Sequence, residues 1–248
     1  MISFAEVEKP LSDALNHFGP AGRVPTPQYP FWRLLNDGLW EVKADGDLIR
    51  RKSNTDPTKS SLIKFNAKAG FTHEYFDLLS SDPTIQTQVI HQILDSHFPS
   101  SIHEDIVLYF SLSVGEVKTS DAVSYPKFRD TVLSTYESRC AVSGFRGLIN
   151  GSTVGVEAAH ICWPQAGGLN DIVNGLALSS LHRKLFHLGA FTIDENYRVV
   201  ISPRFIGDGL IGQQLAGLNG KPIKLPNSTE FHPNQKCLSW HSKEVFRS

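Results

Sequence analysis

Apolar residues recur at helical spacing near the start of the chain. In PLSDALNHFGP, Leu11, Ala14, Leu15 and Phe18 fall at i, i+3, i+4 and i+7, and Gly19-Pro20 ends the helix they predict. The following AGRVPTPQYP has too many prolines for a helix interior and reads as a loop. Two Asp-Gly turns, Asp37-Gly38 and Asp45-Gly46, bracket LWEVKADGDLIR and predict a short hairpin or small sheet. FTHEYFDLL and PTIQTQVIHQILDSHF are predicted helices, with Phe71, Tyr75 and Leu78 on one side and Ile85, Val89 and Ile93 on another.

The period is lost over SLSVGEVKTSDAVSYP, residues 111 to 126, which reads as a linker, and the domain boundary is placed at 118/119. Beyond it KFRDTVLSTYESRC is a predicted helix, GVEAAHI and LAL are short strands, and SSLHRKLFHLG is a helix. Ser179 or Ser180 serves as its N-cap and Gly189 stops it. The predicted fold class is α+β: a mainly helical domain with a small hairpin over residues 1–118, then a mixed domain over 119–248.

Composition narrows the class. The 248 residues are 40% hydrophobic, enough for real cores without covalent staples. Cys140, Cys162 and Cys237 form no CxxC pair, which argues against a disulfide framework and a cysteine-rich zinc site. With no signal-like N-terminus and no run of roughly eighteen apolar residues, a cytoplasmic protein without a membrane partner is expected. The net charge is only −1, so attraction to nucleic acid must come from local patches such as IRRKSNTDPTK. Before residue 119 there are 11 Lys+Arg against 15 Asp+Glu, and after it 13 against 10.

VEAAHICWPQAGGLNDIVNGLALSSLHRKLFH, residues 156 to 187, carries the chemistry. His160 ends a strand, Asn174 opens a second one fourteen residues later, and His182 lies eight residues further in the first turn of a helix. Taken singly, His160 and His187 read as buried, hydrogen-bonded histidines, Asn174 as a turn residue and His182 as solvated near a helix start. Their order, together with RCAVSG, EAAHI, NGLALSSLHRKLF, GAFTID and the distal LSWHSKEVF, resembles the HNH, or ββα-metal, domain of McrA-like restriction enzymes over roughly seventy residues.

The resemblance implies roles. His160 is the general base that deprotonates water, a task suited to neutral imidazole near pH 7. Asn174 holds the connecting loop and so aims that base, and His182 coordinates a divalent ion, Mg²⁺ or Mn²⁺, that stabilises charge on the phosphate. Gly167-Gly168 between base and asparagine is typical of the family's loop. The products implied are a 5′-phosphate and a 3′-hydroxyl. Where many such sites have a second ligand just before the base, this chain has Ala159. His187 is a further ligand candidate, but it lies about 140° around a helix from His182, so both face one ion only if the helix ends or bends. Glu157 lies on the opposite pleat face from His160. Cys140 is followed by Ser143 where related domains have a zinc-binding pair, so no structural zinc is expected.

FGPAGRVPTPQYPFWRLLNDGLWEV, continued by AGFTHEYFDLL and LDSHFPSSIHEDI, resembles the sulfur-binding domain of type IV restriction enzymes that recognise phosphorothioate DNA. Tyr29 and Pro30 then form an apolar wall for sulfur, which is larger, more polarisable and less hydrated than phosphate oxygen. Arg23, Arg33, Arg50 and Arg51 are candidates for neighbouring phosphates or base edges, with Arg23 first by its place in the motif. The resemblance implies a nuclease acting on double-stranded DNA with phosphorothioate linkages, with a homodimer as one way to cut both strands. Two alternatives stay open: a catalytically weak modified-DNA reader, motivated by Ala159, and an HNH enzyme dependent on methylcytosine.

Overall fold

The computed structural model describes residues 1–46, 48, 56–112 and 125–248. It falls into two compact units, Met1–Ile90 and His91–Ser248. The α+β class expected from the sequence is present in both.

In the first unit Ser3 ends a two-residue strand, β1 (Ile2–Ser3), and caps α1 (Phe4–Phe18). The cap is reciprocal: Ser3 Oγ accepts from the Glu6 amide, while the Glu6 carboxylate accepts from the Ser3 amide. Such a box contributes on the order of 1 kcal/mol and explains why the helix begins seven residues before Leu11. Pro10 sits inside α1 without ending it. Further elements are α2 (Gln28–Arg33), β2 (Trp40–Lys43), α3 (Lys59–Lys64), β3 (Lys68–Phe71) and α4 (His73–Ser81). The helix α5 (Pro83–His97) begins in the first unit.

Of the short hairpin or small sheet predicted over residues 39–50, the described residues form a small sheet, three antiparallel strands in the order β1-β3-β2. β2 pairs with the distant β3, Trp40 opposite Phe71 and Lys43 opposite Lys68, and β3 pairs with β1. Asp-Gly turns mark local reversals, but the partner of β2 is selected by burial: Val42 and Ala69, opposite each other, both enter the core. Phe4, Phe31, Leu62 and Ala67 complete that core, with the Phe4 and Phe31 rings edge to face at 5.0 Å. Several apolar residues of the two predicted helical faces remain exposed, among them Phe71, Leu78, Val89 and Ile93.

The second unit adds α6 (His103–Tyr109), α7 (Tyr125–Thr135), β4 (Gly147–Ile149), β5 (Ser152–Val154), β6 (Val156–His160), β7 (Gly175–Ser179) and α8 (Ser180–His187). After these come β8 (Phe191–Ile193), β9 (Val199–Ile201), α9 (Gly209–Ala216) and α10 (Gln235–Glu244). Its three hairpins pair β4 with β5, β6 with β7 and β8 with β9. The core is built on β6 and β7, whose Val156, Ala158, Leu176, Ala177 and Leu178 are buried with Val132 and Tyr136 of the α7 region and Phe186 of α8.

The compact units part at Ile90–His91, whereas the sequence reading divides the chain at 118/119. Polar contacts explain the difference. Arg183 reaches Ser100 at 3.5 Å, Lys184 pairs with Asp105 at 3.0 Å, and Gln165 donates to the Asp95 and Phe98 carbonyls at 3.1 and 3.2 Å. These group residues after Ile90 with the second unit. Most of the predicted linker, residues 113–124, lies outside the described residues.

Candidate functional site

β6 and β7 run antiparallel with His160 opposite Gly175 and Val156 opposite Ser179. Strand parity sends His160 and Glu157 to opposite faces. The His160 ring lies against Phe128 of α7, centroids 4.0 Å apart and planes 6° from parallel, while Glu157 meets Arg183 and Ser180 of α8. Gly175 makes the first contact possible: a Cβ there would stand 2.4 Å from Val132 and 3.1 Å from Phe128.

His160 is 8% exposed, and its Nε2 meets Asn170 Oδ1 at 2.6 Å. Burial holds its pKa below the ordinary imidazole value. The Asn170 hydrogen bond opposes that shift and the nearby Arg183 charge reinforces it. The ring is therefore neutral at pH 7, the state a base requires.

Asn174 does not touch this ring in any described hydrogen bond. Its Oδ1 accepts from the Cys162 amide at 2.8 Å, and its Nδ2 donates to the Cys162 and Leu169 carbonyls, both at 2.9 Å. One carboxamide thus closes the loop between β6 and β7 at both ends. Gly168 is what lets the loop close, since a Cβ there would lie 1.9 Å from the Cys162 carbonyl oxygen. Gly167 turns the chain with φ of +87° at the end of the short 3-10 helix Pro164–Ala166.

α8 runs unbroken to His187, capped by Ser179, whose Oγ accepts from the His182 amide. The two histidines therefore keep their angular separation and face different surroundings. His182 Nδ1 lies 2.6 Å from Ser179 Oγ and 3.8 Å from Cys140 Sγ. His187 is buried: its Nε2 donates to the His160 carbonyl at 3.3 Å, so its Nδ1 accepts from Ser101 Oγ at 2.5 Å. Burial pushes its pKa well below the usual value. Ala159 offers no donor, and among the described residues no three His, Cys, Asp or Glu side chains gather closely enough to hold a metal ion. The fixed positive charge beside His160 and His187 is instead Arg183, ion-paired to Glu157 at 2.6 Å.

Cys140 is buried against His182. Burial alone would push its thiol up, yet hydrogen bonds from His182 and Ser143 outweigh it and bring the pKa to about 6. His182 and Ser179 line one side of a cavity of about 750 Å³ whose walls include Phe145, Leu181, Leu185 and Leu215.

In the first unit, Tyr29 and Pro30 lie on α2 rather than on the loop predicted for them. Tyr29 is 37% exposed, and the Arg33 guanidinium sits 4.4 Å above its ring while pairing with Asp56 at 2.6 Å. A helix fixes this stack because residues four apart share a face. Arg23 is exposed, seven residues before Pro30. Arg50 and Arg51 lie outside the described residues.

Sequence reasoning missed Asn170, Arg183 and Phe128. Asn170 sits in a turn-like GGLND run where asparagine is ordinary, Arg183 is masked by the adjacent His182, and no spacing rule brings Phe128 to His160.

Residues 1–114 match the model of the ScoMcrA-like DNA sulfur-binding domain, and residues 140–194 match that of the HNH endonucleases. No curated protein matches the chain. Among solved structures it is similar to one described as a modification-dependent TagI restriction endonuclease, at 19% identity and a TM-score of 0.37, over 51% of this chain and 38% of that one. The chain thus spans little more than a third of that protein's length. No helix among the described residues is long and apolar enough to cross a membrane. A ScoMcrA-like DNA sulfur-binding domain and an HNH endonuclease domain are therefore joined in this one chain.

Proposed function

We propose that the protein is a modification-dependent DNA endonuclease: residues 1–118 bind duplex DNA carrying a phosphorothioate linkage, and residues 119–248 hydrolyse a phosphodiester nearby. The observation that carries this reading is the presence of a sulfur-binding domain and an HNH domain in one chain. The geometry of each supports it. Tyr29 and Pro30 present a partly exposed apolar surface on a rigid helix beside the Arg33 charge, which suits a linkage that is anionic but poorly hydrated at sulfur. Arg23 supplies a cation on the adjoining loop, and Arg50 and Arg51 belong to the same basic stretch of sequence.

In the second domain His160 takes the proton from the attacking water, and Asn174 holds the loop that aims it. HNH nucleases generally use a divalent metal ion. His182, the ligand implied by resemblance, and the further candidate His187 face different surroundings, His182 toward Cys140 and His187 toward Ser101. Incubating a phosphorothioated duplex and its unmodified twin with Mg²⁺ or Mn²⁺ tests the reading: nicking confined to the sulfur-bearing duplex is the expected result. A second reading, a modified-DNA reader that cuts weakly or not at all, is favoured by one observation, the Arg183–Glu157 pair beside Ala159 where an ion would need donors. Binding without cleavage across a panel of divalent metals would select it. A methylcytosine target would instead appear as competition by methylated duplexes. Double cutting by a homodimer predicts a rate that rises with protein concentration at fixed DNA.

A further inference from the structure

The loop between β6 and β7 carries two asparagines with different duties. Asn174 is tied to backbone only, at Cys162 and Leu169, whereas Asn170 reaches the imidazole itself with Oδ1 2.6 Å from His160 Nε2. The bond from Asn174 to the Leu169 carbonyl fixes the residue immediately before Asn170. Asn174 therefore acts on the histidine through its neighbour rather than directly.

We propose that Asn170 is the positioning residue for His160, its carboxamide oxygen holding Nε2 in the protonated form so that Nδ1 carries the lone pair that accepts a proton from water. The chemistry follows from the donor inventory. A carboxamide oxygen accepts and never donates, so the nitrogen facing it must bear hydrogen, and a neutral imidazole then has its basic site at the other nitrogen. Phe128 restrains the ring plane from the side, at 4.0 Å and 6° from parallel, and the Asn170 hydrogen bond restrains rotation within that plane. As the proton of the attacking water passes to Nδ1, the water oxygen bonds to phosphorus. The bond from phosphorus to the leaving oxygen breaks, and that oxygen keeps the electron pair and is protonated from solvent. The imidazolium so formed donates more strongly from Nε2 to Asn170, so the contact strengthens as the reaction proceeds.

This inference rests on the reading of His160 as the base, and the test separates the two. Long-range ¹⁵N–¹H correlation spectra of histidine-labelled wild-type protein report the tautomer of His160 directly, its signals assigned by their loss in His160→Ala. The Nε2–H form is expected, and the Nδ1–H form would overturn the proposal whatever any variant does. Cleavage of a duplex bearing one phosphorothioate is then compared among Asn170→Ala, Asn170→Leu and Asn170→Asp, with affinity measured on the same DNA. Loss of the acceptor is expected to lower the single-turnover rate by about 10²-fold with affinity unchanged, and Asp, which keeps an acceptor at the same place, to restore most of it. Alanine and leucine variants cutting at the wild-type rate with an unchanged His160 tautomer would overturn it. Should His160→Ala itself still cleave, the base assignment fails. A dead His160→Ala beside fully active Asn170 variants sinks only the role of Asn170.

Discussion

Phe128 lies flat against His160, with centroids 4.0 Å apart and planes 6° from parallel, so the ring of the candidate base rests on an aromatic face of α7. Removing the imidazole leaves this face and the loop intact. His160→Ala is expected to lower the cleavage rate by about 10³-fold while affinity for phosphorothioated DNA changes by less than about twofold. Parallel nicking and gel-shift titrations check this, and loss of both would show that His160 serves structure.

The loop gives a second prediction. Gly168→Ala places a methyl 1.9 Å from the Cys162 carbonyl oxygen and 2.9 Å from Asn174 Nδ2, so the chain must move off the asparagine that holds it. Cleavage should fall about as far as in Asn174→Ala, while binding to sulfur-bearing DNA persists. Ala at Gly167, whose φ is +87° and whose Cβ meets nothing within 4 Å, should cost only about 1 kcal/mol of backbone strain, seen as a small drop in the unfolding midpoint.

Acid should destabilise the second unit through its buried histidines. His241 is fully buried, stacked on Phe186 at 3.6 Å, with Nε2 donating to the Phe186 carbonyl and Nδ1 accepting from Thr192. Burial takes its pKa from 6.5 to about 3, and His187 shifts in the same direction. Between those values the unfolded chain binds more protons than the folded one. The stability is therefore fully present above pH 6.5 and is lost as pH falls toward 3, by up to about 1.4 kcal/mol per unit for each histidine. Denaturant midpoints measured from pH 7 to pH 4 should fall accordingly, and His241→Gln, less stable at pH 7, should show a flatter profile.

Much of the second domain was legible because its signals are local. The strand ending in His160, the Asn-Gly that opens β7, the Ser179 cap and the Gly189 stop are each decided by a few adjacent residues. In the first domain α1 and a small sheet around β2 were readable, but α2, which the prolines made look like a loop, and the pairing of the strands were not. Trp40 pairs with Phe71 across thirty-one positions, and no period in either segment announces that partner. The site divided in the same way. His160 and Asn174 are fixed by motif, whereas His182 turns toward Cys140 and His187 toward Ser101 because α8 continues without a break. Arg183 acts on His160 electrostatically and pairs with Glu157, a contact between a strand and a helix that spacing alone does not reveal.

The stack of Arg33 on Tyr29 yields a further prediction for the reader. Tyr29→Ala removes the exposed ring without touching the buried Phe31, which packs on Phe4. It should lower the preference for sulfur-bearing over ordinary DNA by about tenfold, equivalent to about 1.4 kcal/mol, with little change in affinity for unmodified duplex. Arg33→Ala should weaken binding to both duplexes and reduce the salt dependence by about one phosphate contact. Titrations at several salt concentrations separate the two effects.

The most direct measurement is the affinity of the whole chain for two duplexes of identical sequence that differ by one sulfur atom in one backbone linkage, at a single salt concentration. An apolar wall at Tyr29 and Pro30 predicts binding about a hundredfold tighter to the sulfur-bearing duplex, about 2.7 kcal/mol. Equal affinity for the two would contradict the account.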